Sequence, residues 1–228
     1  MTFSLAGRCA RTGSYGVAAA TCDLAVGSRV AHAEAGVGAV ITQHRTDPRL
    51  GPQGLSLLRA GTAAGAVVEQ LVASTPHADW RQLAVIDSAG RTAACSGAKV
   101  VTTSCEVHGL DCIAVGNCLA DVAVGSAMVA AFLAAPSEPL AERLLVALEA
   151  GRDAGGETSP TQSAVLLVVR DAEMSLVDLR VDEDPDPITS LRRLWQSYRG
   201  WVTDFRLRAL DPDAAAGAAD TTNGEGTL

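Results

Sequence analysis

Apolar and polar positions divide the first hundred residues into short strands and turns. Thr2-Phe3-Ser4-Leu5-Ala6 opens a strand over residues 2–8. A second strand over 15–21 follows the loop Ala10-Arg11-Thr12-Gly13-Ser14, which has hairpin composition. A third is expected over 36–43, Gly-Val-Gly-Ala-Val-Ile-Thr-Gln. Residues 48–54 hold two prolines and two glycines and read as a loop, with a short helix over 55–60. Thr62 is placed to cap a second helix that carries Val67, Val68, Leu71 and Val72 on one face. Residues 82–87 and 91–96 alternate around Ser88-Ala89-Gly90, another hairpin.

The second half follows the same logic. Residues 112–117 predict a strand, and 122–135 and 140–154 predict two helices parted by Pro136, Ser137 and Pro139. Leu140, Leu144 and Leu148 mark the buried stripe of the second helix, and Gly155-Gly156 ends it. A continuous apolar strand is expected over 164–169, with 174–181 as its hairpin partner. Asp186 caps a last helix that buries Ile188, Leu191, Leu194, Trp195 and Tyr198. Hairpins dominate and strand–helix–strand alternation is weak. The fold class is therefore α+β, with mainly antiparallel sheets and segregated helices. We expect one domain over 1–210 and a disordered tail over 211–228, where Ala, Gly, Asp and Thr leave little to bury.

Composition narrows the function classes. Aromatics make up 4% of the 228 residues, so the core is built from Ala, Val and Leu. Net charge is −8 and Lys99 is the only lysine. Nucleic acids and anionic membranes need clustered cations, so neither is an expected partner. The apolar stretch 113–135 is interrupted by Asn117 and Asp121 and reads as strand, turn and helix, not as a membrane span. No basic region followed by an apolar core opens the chain, and the expected location is cytoplasmic. Six scattered cysteines then read as mostly reduced, buried small hydrophobes. The Ala-rich stretch 122–135 suits packing inside one chain or across a homo-oligomer, and a dimer is expected.

Thr2 carries the sharpest chemical signal. If Met1 is removed, one residue offers a hydroxyl nucleophile and, in its own α-amine, a base that titrates near ~8. The competing reading is an ordinary strand residue. Gly36-x-Gly38 lacks a third glycine and a following helix, so it does not make a dinucleotide loop. Ser96-Gly97 lacks the nucleophile-elbow pattern. Cys105, His108, Cys112 and Cys118 bring zinc-type ligands into a short segment, without the spacing of a strong zinc signature. No cofactor or metal is expected. His44-Arg45-Thr46-Asp47 follows the third strand and offers a base, a cation and a carboxylate. His32 and Glu34 suit a surface pair. Asn117 ends an apolar strand, where its amide can donate to an oxyanion or simply turn the chain.

Several motifs together resemble a bacterial family, the domain-of-unknown-function 1028 family, grouped with N-terminal-nucleophile (Ntn) hydrolase-like proteins. They are Thr2-Phe3-Ser4-Leu5; Thr12-Gly13-x-x-Gly16-Val17-Ala18; Leu24-Ala25-Val26-Gly27; Ala35-Gly36-Val37-Gly38-Ala39-Val40-x-Thr42-Gln43; and Asp47-Pro48-Arg49-x-Gly51-Pro52-x-Gly54-Leu55. The likeness resumes at Gly116-Asn117, at Pro139-Leu140-Ala141-Glu142-Arg143-Leu144-Leu145 and at Gln162-Ser163-Ala164, and ends near Asp182. The resemblance implies a four-layer αββα sandwich, with mature Thr2 at the mouth between two sheets, and amidase-type chemistry. The segment 101–110 departs from the family pattern.

On this basis the expected activity is cleavage of an amide bond in a small N-acyl, carbamoyl or amino-acid-type substrate through an acyl-Thr2 intermediate. Asn117, Gln43 and Thr21 are candidates for the oxyanion hole or for orienting Thr2. Arg29, Arg45 and Arg49, with His44, are candidates for holding a substrate carboxylate, which an arginine fork matches. The alternative is a non-catalytic ligand-binding or scaffold protein on the same fold.

Overall fold

The computed structural model describes residues 1–100, 103–171 and 173–215. Two antiparallel sheets stack face to face, with helices on both outer sides. The first sheet runs β10(Ser175–Val181), β9(Ser163–Val169), β2(Ser14–Thr21), β1(Thr2–Cys9), β8(Cys112–Asn117), β7(Cys105–Gly109). The second runs β3(Ala31–Glu34), β4(Gly38–His44), β5(Arg81–Asp87), β6(Thr92–Ser96). Helices α3(Ala123–Ala134), α4(Leu140–Asp153) and α5(Pro187–Tyr198) cover the first sheet, and α1(Leu50–Arg59) and α2(Ala64–Ser74) cover the second. The expected four-layer αββα sandwich is thus the observed architecture. Residues 216–228, most of the expected tail, lie outside the described residues. Among the described residues no helix is long and apolar enough to cross a membrane.

Strand alternation builds three apolar layers from small side chains. On β1, Phe3 and Leu5 face α3 and α4, while Ala6 faces the second sheet. On β2, Ala18 and Ala20 join the helical side, and Val17 and Ala19 the space between the sheets. Val40, Leu83 and Val85 meet α1 and α2 on the far side. Thr2 and Ser4 share the face of Ala6, so β1 sends its polar side chains into the inter-sheet space.

One close approach fixes the helical layer. Gly7 and Gly16 are paired across β1 and β2. A Cβ on Gly7 would stand 2.7 Å from the Phe132 ring, and one on Gly16 would stand 2.7 Å from Leu144 Cδ1. The bare backbone pair is a trough that receives α3 and α4. Phe132 is fully buried in it, and the Arg143 guanidinium lies 3.9 Å from its ring centroid. Arg192 of α5 then bridges Glu142 and Glu149 of α4, and Trp195 Nε1 donates to Glu142 at 2.7 Å.

Several elements differ from expectation. Residues 50–54 are helical, because a proline early in a helix loses no intrahelical bond. Gly51 and Gly54 are there for clearance: their Cβ atoms would fall 2.1 Å from the His32 ring and 3.0 Å from Val40. His32 therefore packs under α1, not in a surface pair, and burial pushes its pKa down. Glu34 pairs with Arg59 instead. Asp87 of β5, not Thr62, caps α2 by accepting from Ala64 N at 3.1 Å. Leu194 is 42% exposed. Strands β3 and β7 and helix α6(Val202–Leu210) were not foreseen. The six cysteines form no disulfide, and only Cys9 and Cys112 are fully buried.

Truncating the ring in the glycine trough tests this packing. Phe132→Ala should lower unfolding free energy by about 3–5 kcal/mol in urea titration, the range for a fully buried Phe. A loss under about 1 kcal/mol would mean that the helices collapse into the space.

Candidate active site

Strand ends from both sheets converge at one edge of the inter-sheet space. Thr2 begins β1 and pairs with Asn117 at the end of β8, while Thr21 ends the neighbouring β2. On the second sheet, Gln43 of β4 pairs with Gln82 of β5. Asn117, Thr21, Gln43 and Gln82 follow the alternation of Val115, Ala19, Ile41 and Ala84, so all four point between the sheets.

Their amides form a closed network. Ser4 Oγ donates to Gln43 Oε1 at 2.7 Å, joining the two sheets. Gln43 Nε2 and Asn117 Nδ2 both donate to Gln82 Oε1, at 2.8 and 2.9 Å. Gln82 Nε2 donates onward to Ser96 Oγ and to the Gly116 carbonyl, each at 2.9 Å. Ser4, Gln43, Gln82 and Asn117 are all fully buried. A net hydrogen bond is worth only about 1 kcal/mol, but orphaning one buried partner costs about 1–3 kcal/mol, so the set stands or falls together.

Thr2 sits at the open side of this network, 5% exposed. Its Oγ1 lies 3.3 Å from Thr21 Oγ1, and both hydroxyls donate to the Met1 carbonyl oxygen. Two hydroxyls therefore meet at the peptide bond in front of Thr2. Asn117 Nδ2 gives one of its two N–H groups to Gln82, while its Oδ1 is buried without a partner. The residues that follow the two buried amides, Cys118 and His44, are both left-handed, with φ of 54° and 71°. Such strain in non-glycine residues gathers at functional sites.

A carboxylate that no sequence motif announced lies beside them. After α4, Gly155 and Gly156 take positive φ and turn the chain back. Thr158 N donates to the Cys118 carbonyl, and Ala120 N to the Gly156 carbonyl, both at 3.0 Å. Glu157 is thereby placed next to Cys22, 7% exposed, with neither carboxylate oxygen in a hydrogen bond. Burial pushes its pKa up to about 7, and Asp23 adds to the rise. The chain-terminal ammonium and the nearby Cys22 thiol and amide pull the other way without reaching hydrogen-bond geometry. Thr158 Oγ1 contacts Met1 Sδ at 3.3 Å.

The four candidate substrate-binding residues have partners elsewhere in the chain. Arg29 donates to the Leu24 and Ala25 carbonyls and lies 3.8 Å from Asp23. His44 Nδ1 meets the Trp80 carbonyl at 2.9 Å, and the Arg45 guanidinium stands 5.6 Å from the Trp80 ring centroid. Arg49 forks onto Asp47 and holds that carboxyl down at about 2. His44 alternates with Gln43 and lies on the α1 side of its sheet, away from the network.

The zinc-type residues do not assemble. Cys105 and Cys112 face the α3 layer, whereas His108 turns to the other face of β7 and bonds Thr92 Oγ1 at 2.7 Å. Among the described residues, no group of three or more His, Cys, Asp or Glu can hold a metal ion.

The chain is similar to a protein family and to solved structures. A model of the Family of unknown function (DUF1028) matches residues 2–191. The crystal structure of protein SPO2555 from Silicibacter pomeroyi, described under the same family, is 33% identical, covers 86% of this chain and 85% of its own, and has a TM-score of 0.81. Anbu (ancestral beta-subunit) from Yersinia bercovieri is 15% identical, with 90% and 96% covered and a TM-score of 0.40. No curated protein matches the chain.

The orphan carboxyl has a measurable signature. With its folded pKa raised from 4.5 to about 7, Glu157 binds more proton in the folded than in the unfolded state between those values. Stability therefore falls as pH rises across that window, and the loss persists above it. Glu157→Gln should raise Tm at pH 8 and leave it nearly unchanged at pH 4. A lower Tm at pH 8 would show that the carboxylate is paired.

Proposed function

The chain belongs to the DUF1028 family, and we propose that it is an N-terminal-nucleophile amide hydrolase in which Thr2 is both nucleophile and base. The observation that carries this reading is the meeting of the Thr2 and Thr21 hydroxyls at the peptide bond in front of Thr2, in a buried polar mouth between two sheets. An ordinary strand residue has no need of such surroundings.

Opening the Met1–Thr2 bond frees the Thr2 α-amine, which titrates near ~8. Thr2 Oγ attacks the substrate's amide carbonyl while its proton passes to that amine. The tetrahedral intermediate collapses as the ammonium returns the proton to the leaving nitrogen, leaving an acyl ester on Thr2 Oγ. Water, activated by the same amine, hydrolyses the ester and releases the carboxylic acid. Thr21 orients the Thr2 hydroxyl. Gln43 and Asn117, each of which gives one amide N–H to Gln82, hold the strand ends in register. The substrate class is a small N-acyl, carbamoyl or amino-acid-type amide.

The second reading is a binding or scaffold protein that keeps Met1, with Thr2 inside the chain. Intact mass of native-source protein separates the two, because retained Met1 leaves no free amine on Thr2. On an amide panel with Met1-free protein, Thr2→Ala should lose at least about 10³-fold in kcat/KM, as expected when a nucleophile is removed. Thr2→Ser should keep measurable turnover. Full activity in the Ala variant would sink the proposal.

A further inference from the structure

Glu157 takes no part in the steps above, yet it is a buried carboxylate with both oxygens unpaired, and the next residue, Thr158, touches Met1. Native proteins seldom leave such a group without a partner, and the natural partner of a buried carboxylate is a cation. The charges around it leave that place open. Asp23 is acidic and burial keeps the Cys22 thiol protonated, since it raises the thiol pKa. Arg29, the cation nearby, is bonded to the Leu24 and Ala25 carbonyls and directed at Asp23.

Met1 shows what the site accommodates. Its carbonyl is held by the Thr2 and Thr21 hydroxyls, its sulfur touches Thr158 Oγ1, and its charged α-nitrogen is close enough to favour the ionised form of Glu157. Met1 is an aminoacyl group carried on Thr2 N. An acyl-enzyme carries its acyl group on Oγ of the same residue. When Met1 leaves, the space it occupied is free for the acyl part of a substrate. We propose that Glu157 receives the free α-ammonium group of that acyl part, which makes the substrate an aminoacyl amide: an amino-acid amide or the first residue of a peptide. The proposal rests on Thr2 as the nucleophile, because that role defines the acyl side of the mouth.

Binding of two probes tests it. Met1-free Thr2→Ala protein, which cannot form the ester, is titrated calorimetrically at pH 7 with L-methioninamide and with its des-amino analogue, 4-(methylthio)butanamide. The amine-bearing probe should bind at least about ten-fold more tightly, the scale of one charge-assisted hydrogen bond. Adding Glu157→Gln should erase that difference. Equal affinity of the two probes, or no binding of L-methioninamide, overturns the inference. So does equal weakening of both probes by Glu157→Gln, which would assign the carboxylate to the α-amine of residue 2 instead. Because the readout is binding, failure of Thr2 as nucleophile appears separately, as hydrolysis that survives Thr2→Ala.

Discussion

The hydrogen bond from Ser4 Oγ to Gln43 Oε1 is the joint on which the mouth depends. With the bonds of Gln82 to Asn117 and to the Gly116 carbonyl, it ties the first sheet's polar face to the amides of the second. Outside this network the inter-sheet core is built mainly from Ala, Val and Ile, which give adhesion but little register. A hydroxyl-to-amide hydrogen bond has a direction and a length, so it fixes how far β1 stands along β4. The position of Thr2, two residues before Ser4, follows from that register. The proposed attack of a hydroxyl on a substrate carbonyl would need such precision more than extra cohesion.

Much of this was legible in the sequence because period-two alternation survives burial. Thr2, Thr21, Gln43 and Asn117 stand at the ends of apolar strands, and four strand ends at one edge make a polar cluster. Ser4 and Gln82 carried the same signal, since each lies two residues from an apolar inter-sheet position. The hidden parts have physical causes. Glu157 sits in a loop, and nothing local says that the turn at Gly155-Gly156 folds it against Cys22. β3 and β7 are short edge strands with mixed burial, and their pairing is set by neighbours, not by their own pattern. The glycines of 51–54 looked like loop residues, but they serve clearance under a helix. The basic loop at 44–49 looked like a binding site, but Asp47, Trp80 and backbone carbonyls already engage its charges.

Glu157 shows how a fold carries a feature that its own stability disfavours. The sandwich has ample apolar contact elsewhere and tolerates one unpaired carboxylate. The neighbouring left-handed residues, Cys118 and His44, are of the same kind. Two of the four left-handed non-glycine residues among the described residues directly follow the buried amides Asn117 and Gln43.

The glycine trough gives β1 an uneven mechanical character. Around Gly7 the strand is pressed against α3 and α4 with no slack, so that end is clamped by close packing. At Thr2 its inter-sheet side is held by directional polar contacts that a polar solute can replace, while Phe3 packs the helical side. β1 thus resembles a beam anchored at one end and latched at the other. Agents that compete for hydrogen bonds will unlatch the mouth while the anchored end is still in place, so local opening there can precede global unfolding.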